Sequence, residues 1–152
     1  MPKNPPDNMP RITAMIYYED VAGALDWLTR AFGFRERLRM PGPDGSIMHA
    51  EMELADGVIM LGRPEETYRN PNRLGGVTQS LYVYVDDVDD HFRRARESGA
   101  TIHSELKDEF WGDRLYGAAD PEGHHWYFAQ CVRDVSPEEM REHMQQPAQQ
   151  PA

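Results

Sequence analysis

Three side chains alternate along one short stretch of the chain: His49, Glu51 and Glu53. In an extended backbone, side chains two apart share a face, so an imidazole and two carboxylates lie together there. These residue types move protons near neutral pH or hold a divalent metal, and His125 offers a second imidazole farther along. We read His49, Glu51 and His125 as the candidate catalytic groups and Glu53 as part of a solvated face. Arg114 follows Trp111-Gly112-Asp113. Its planar guanidinium suits two-pronged pairing with a ligand carboxylate or phosphate, with Asp113 of its own loop as the competing partner. Cys131, the single cysteine, has no histidine spaced to activate it and reads as a small buried apolar residue. His91, His103 and His143 lack ligand-spaced neighbours and read as exposed, whereas His124 reads as a structural hydrogen-bonder. Asp86, Asp87, Asp89 and Asp90 crowd a predicted helix start, where negative charge is favoured in any case. The chain has no phosphate-cradling glycine loop and no serine-hydrolase motif.

Regular elements must position these groups, and the periodicity of the chain predicts them. Ile12–Tyr18 is strand-like; Val21, Ala24, Leu25, Leu28 and Phe32 fall at helical spacing between Asp20 as N-cap and Gly33 as stop. Strands follow at Phe34–Met40, Ile47–Leu54 and Val58–Leu61, the last two joined by a turn at Asp56-Gly57. The pattern then restarts. Ser80–Val85 is a strand, Asp87–Ser98 a helix, and Thr101–Leu106, Leu115–Ala119 and His124–Gln130 are three further strands. Asp20 and Asp87 stand 67 residues apart, Gly57 and Gly123 stand 66 apart, and Tyr17–Val21 resembles Tyr84–Val88. Two βαβββ units at a near-constant offset indicate an internal duplication.

Composition sets the class. A chain of 152 residues is about one domain. Six of its 12 prolines lie in residues 1–10 and 147–152, which read as disordered tails. Residues 11–131 form the domain, with modules at 11–63 and 78–131, and a capping box at Ser136-Pro137-Glu138-Glu139 opens a C-terminal helix within 132–146. The net charge of −10 argues against a nucleic-acid partner or an anionic membrane surface. One cysteine excludes an internal disulfide framework, and the lack of a long apolar run or signal segment points to the cytoplasm.

The chain resembles the vicinal oxygen chelate superfamily, the glyoxalase, bleomycin-resistance and extradiol-dioxygenase group. The resemblance rests on Tyr18-Glu19-Asp20-Val21 with Ala24 and Trp27, Ala31-Phe32-Gly33-Phe34, Val85-Asp86-Asp87-Val88-Asp89, and Asp120-Pro121-Glu122-Gly123-His124. His49-Ala50-Glu51 and Trp111-Gly112-Asp113-Arg114 are similar to its PhnB-like branch. The resemblance implies an α+β fold of two tandem βαβββ modules, forming a half-open eight-stranded barrel around one cleft, and a homodimer. It also implies a divalent metal in the enzymes of the group, held at four strand positions. Those positions fall here on Thr13, Met60, Ser80 and Tyr127, which are not a ligand set for such an ion. We therefore expect no cofactor, the alternative being a divalent ion relocated to His49, Glu51 and His125.

Strand parity counted from those four positions gives the cleft face. It should carry Thr13, Met15, Tyr17, Met60, Ser80, Tyr82, Tyr84, His125 and Tyr127. The opposite parity, Ile12, Ala14, Ile16, Ile59, Leu61, Leu81, Val83, Val85, Trp126 and Phe128, should be core. A concave face of tyrosine and methionine suits a planar or amphipathic organic ligand. The expected ligand-binding set is Tyr17, Met60, Tyr82, Tyr84 and Tyr127, with Trp111 and Arg114 at the rim. The leading expectation is thus a metal-free small-molecule-binding protein of the bleomycin-resistance type. The rival is a lyase, isomerase or dioxygenase working through His49, Glu51 and His125.

Overall fold

The computed structural model describes residues 1–147. The first half runs β1 (Ala14–Tyr17), α1 (Val21–Phe32), β2 (Arg35–Pro41), β3 (Ile47–Leu54) and β4 (Gly57–Gly62). A short helix, α2 (Pro71–Leu74), lies in the linker. The second half runs β5 (Ser80–Tyr84), α3 (Val88–Glu97), β6 (Thr101–Asp108), β7 (Asp113–Ala119) and β8 (His125–Cys131), and α4 (Pro137–Gln145) follows. The fold is α+β, with two βαβββ modules. Its strands form two four-stranded sheets, β1-β4-β3-β2 and β5-β8-β7-β6, in a half-open arrangement with no closed barrel. Each sheet joins one parallel pair to two antiparallel ones, and the registers correspond: Met15 lies opposite Met60, and Tyr82 opposite Tyr127. Of the expected tail 147–152, residues 148–152 lie outside the described residues. No helix is long and apolar enough to cross a membrane, among the described residues.

Local chemistry sets the helix limits. The Asp20 carboxylate accepts from the Gly23 N–H, and Gly33 takes φ 79°, a left-handed value that glycine adopts without a Cβ clash. Between them Val21, Leu25, Leu28 and Phe32 make one buried stripe, and Ala24, Trp27 and Ala31 widen it. α3 is capped alike by Asp87, which accepts from the Asp90 N–H.

A single core joins the modules. Phe32, at the end of α1, packs against Phe128 at 4.6 Å and Trp126 at 5.5 Å between ring centroids. His91 of α3 bridges the halves: Nδ1 meets the Tyr116 hydroxyl at 2.6 Å, and Nε2 donates to the Phe32 carbonyl at 2.8 Å. Its expected exposure is therefore corrected. Both ring nitrogens find partners, and burial lowers its pKa below the usual histidine range. Arg94 of α3 donates to the carbonyls of Arg30 and Thr29, satisfying the open end of α1.

A second junction lies at the turn before β8. Buried Asp120 accepts from the Tyr18 hydroxyl at 2.7 Å and from the Trp126 indole at 3.1 Å. Glu122 accepts the backbone N–H groups of Glu19 and Asp20, and His124 Nε2 donates to the Tyr17 carbonyl at 2.8 Å.

Three smaller expectations also change. Ile12 is 90% exposed rather than core, because β1 begins at Ala14 and leaves it outside the sheet. The β3–β4 turn residues are Ala55-Asp56, with Ala55 at φ 52°, since Leu54 already pairs with Gly57. Cys131 is exposed at the end of β8 rather than buried.

Candidate functional site

Parallel pairing of β5 with β8 fixes which side chains share a face. Leu81 and Val83 pack against the core, as Trp126 and Phe128 do, so Tyr82, Tyr84, His125 and Tyr127 project from the opposite face. The Tyr82 and Tyr84 rings meet edge to face, with centroids 5.6 Å apart. Tyr82 is 44% and Tyr84 59% exposed. They are nevertheless held from beneath. Asp113, the first residue of β7, is buried, and its Oδ2 accepts from the Tyr82 hydroxyl at 2.5 Å and the Tyr84 hydroxyl at 2.9 Å. Trp111 Nε1 donates to the same oxygen at 3.2 Å and to the Tyr82 hydroxyl at 3.0 Å. The loop that delivers Trp111 depends on Gly112: at φ 101°, a Cβ there would fall 2.1 Å from the Arg133 carbonyl oxygen.

Beside this group lies a second cluster. His103 of β6 stacks on His125 at 4.5 Å and meets Tyr127 edge-on at 5.3 Å. Gly117 makes room for it, since a Cβ there would fall 2.4 Å from the His103 ring. Burial and the neighbouring His125 both lower the His103 pKa, favouring the neutral ring.

On the first module, His49 Nε2 lies 3.6 Å from Glu51, an acid–base pair on β3. Arg37 stands 4.0 Å from Glu51 and 3.8 Å from Glu53, so both carboxylates face a guanidinium. Met60 lies beside Met15, and Tyr17 packs edge-on against Tyr68 of the linker at 5.9 Å. A cavity of about 270 Å³ between β1, the linker and β8 is lined by Tyr17, Met15, Tyr68, Leu74, Gln79 and His125. The larger hollow, about 900 Å³, lies elsewhere, between Asn8–Pro10 and the Arg35, Arg37 and Glu53 side chains. Its charged walls offer no aromatic surface, so we place the candidate site on the tyrosine side.

The structure thus groups Tyr82, Tyr84 and Trp111, and it brings Tyr17 and His125 to one cavity. His49 and Glu51 belong to the other sheet from His125. No group of three or more histidine, cysteine, aspartate or glutamate side chains that could hold a metal occurs among the described residues. At the four inherited positions, the Thr13 hydroxyl donates to the Pro10 carbonyl at 3.5 Å, and Met60, Ser80 and Tyr127 bring a thioether and two hydroxyls. That donor set does not fit a divalent ion.

Arg114 departs from expectation. Its Nε donates to Asp108 at 2.7 Å and its Nη1 to Asp89 at 3.1 Å, and these carboxylates raise its pKa further. Alternation along β7 explains the reversal: Asp113 faces the tyrosines, so Arg114 must face α3. Sequence reasoning missed Asp113 as the anchor of the aromatic group and His103 as the partner of His125. The parity of β7 was the available signal for the first.

Residues 11–128 match the family described as the Glyoxalase/Bleomycin resistance protein/Dioxygenase superfamily. The chain belongs to that superfamily. Among relatives of this superfamily member, Rv0887c, an uncharacterized protein of Mycobacterium tuberculosis, is 36% identical over 137 residues, covering 87% of this chain and 81% of its own. The crystal structure of TioX from Micromonospora sp. ML1 is similar at 38% identity and a TM-score of 0.68, over 82% of this chain and all of TioX, 100%. The superfamily member also shares its fold with TnmS3, an antibiotic binding protein from Streptomyces sp. CB03234. There the identity is 21% and the TM-score 0.61, over 82% of this chain and 98% of TnmS3.

Proposed function

We propose that the protein is a metal-free small-molecule-binding protein of this superfamily, taking an aromatic or amphipathic ligand against Tyr17, Met60, Tyr82, Tyr84, Trp111 and Tyr127. One observation carries the reading: Tyr82 and Tyr84 are largely exposed, yet their hydroxyls are tied to buried Asp113. Rings ordered in advance lose little conformational entropy when a ligand stacks on them. That TnmS3 binds an antibiotic supports the reading by analogy of fold. A cytoplasmic homodimer completes it. β1 is a sheet edge that leaves Met15 exposed, which supports a second copy packing beside the tyrosine face rather than over it. His49-Ala50-Glu51 and Trp111-Gly112-Asp113-Arg114 support a place in the PhnB-like branch. The ligand-binding domain comprises residues 11–131, with 132–146 as an added C-terminal segment.

The His49–Glu51 contact favours a second reading, in which the same protein performs acid–base chemistry. Metal analysis of the purified protein, together with a thermal-shift screen of planar aromatic compounds, separates the two. We expect metal far below stoichiometric amounts and stabilisation by aromatic compounds that weakens in Tyr84→Ala. Tightly held zinc, iron, nickel or manganese near one per chain would favour the enzyme.

A further inference from the structure

The aromatic face of the second module is built on a buried negative charge. Asp113 is 3% exposed, and all three of its side-chain partners converge on Oδ2. Tyr82 and Tyr84 each have one hydroxyl proton, and both protons point to Asp113. Burial raises the Tyr82 pKa and the bond to Asp113 raises that of Tyr84, so both phenols stay neutral and keep those protons. Trp111 has one N–H, and it too is turned inward. What remains for a ligand is π-surface and oxygen lone pairs. No lysine or arginine stands at the positions of β5, β7 and β8 that share this face, and on β6 Lys107, opposite Leu115, is paired with Glu109 at 3.4 Å. Arg114 is on the other side, engaged by Asp89 and Asp108.

This inference rests on the face being a ligand site, as proposed above. We propose that Asp113 is its specificity-determining residue: it locks Tyr82, Tyr84 and Trp111 into one platform with their protons inward. The platform therefore accepts aromatic rings that carry a positive charge or an outward hydrogen-bond donor, and it turns away anionic ones. Ring faces attract cations, and an unpaired anion beside a buried carboxylate is repelled. Asp113 is a positioning group that also supplies the charge.

Two probes with one ring system test this on the full chain: 9-aminoacridine, a cation at neutral pH, and acridine-9-carboxylate. Fluorescence titration of the wild type should show the cation binding about tenfold or more tightly, with the ratio shrinking as salt is added. Asp113→Asn keeps the side-chain shape and one acceptor while removing the charge. It should bring the ratio toward one while both probes still bind. Circular dichroism shows whether that variant is folded; if it is not, Asp113→Ser, which also keeps an acceptor and removes the charge, takes its place in the comparison. Equal affinities in the wild type, or an undiminished ratio in folded Asp113→Asn, overturn the role of Asp113. If both probes bind equally and Tyr84→Ala weakens both, the face is a ligand site without charge selection. If neither probe binds, the ligand-site reading and the role of Asp113 fall together.

Discussion

Phe128 and Tyr84 occupy opposite faces of one parallel strand pair, and truncating each to alanine should have unequal costs. Phe128 is 0% exposed and lies 4.6 Å from Phe32, 4.2 Å from His91 and 5.5 Å from Tyr116 between ring centroids. These neighbours come from both modules and from three elements, so they cannot all collapse into the gap. Phe128→Ala should cost about 3–5 kcal/mol, the range for deleting a fully buried ring. Tyr84 is 59% exposed, and its one hydrogen bond runs to Asp113, which retains Tyr82 and Trp111 as donors. Tyr84→Ala should cost about 1 kcal/mol, the net worth of one hydrogen bond plus a partly wet ring. A domain of this size loses about 2–4 °C of Tm per kcal/mol, so the variants, about 2–4 kcal/mol apart, should melt roughly 4–16 °C apart. Urea titration followed by tryptophan fluorescence measures both midpoints, and an unchanged m-value confirms that the same transition is compared. A loss in Tyr84→Ala as large as that in Phe128→Ala would make the tyrosine face core, and the ligand site would go with it.

His91 is held neutral by burial, so its folded pKa lies below the unfolded value of about 6.5. The unfolded chain then binds the extra proton; the contribution is full above that value and is lost as pH falls through the folded pKa. Urea midpoints at about pH 8 and about pH 5 should therefore differ less in His91→Gln than in the wild type, and equal differences would contradict this. Asp120→Ala strands the buried Tyr18 hydroxyl and Trp126 indole, at about 1–3 kcal/mol each. Equilibrium unfolding should register a loss of several kcal/mol, and a near-neutral result would show that the junction tolerates opening. Arg114→Gln removes only half-exposed ion pairs, worth about 0–1 kcal/mol. Titration should find its affinity for 9-aminoacridine within about twofold of the wild type, and a large loss would return Arg114 to the ligand wall.

The parts of the fold legible in the sequence were those decided locally. Asp20 and Asp87 announce both helices because an N-cap acts within three residues, and Ile47–Leu54 has the same bounds in the structure as in the periodicity. The α2 turn escaped notice because four residues capped by Asn70 leave no periodic trace in a linker rich in proline and glycine. β7 begins at Asp113 rather than Leu115, since Trp111-Gly112-Asp113 reads as a loop and only the pairing of Asp113 with Cys131 extends the strand. That two-residue difference concealed the inward turn of Asp113 and the outward turn of Arg114. The burial of His91 had no local signal, because its partners are a carbonyl 59 residues earlier and a hydroxyl 25 residues later.

The junction between the modules has a consequence for how the chain acquires its structure. The contacts of Tyr17, Tyr18 and Asp20 with the Asp120–His124 turn span 102 to 107 residues of sequence. A chain emerging from a ribosome completes α1 early, but the turn that fastens its entrance arrives only after most of the second module has been made. Until then the Phe32 ring lacks Trp126 and Phe128, two of its aromatic neighbours from the second module. Loop closure over such a distance slows folding and prolongs the exposure of those surfaces. The two halves repeat one another in architecture, yet they share one hydrophobic core. A fragment cut within the linker should be prone to self-association, with its unsatisfied helix face seeking the missing half.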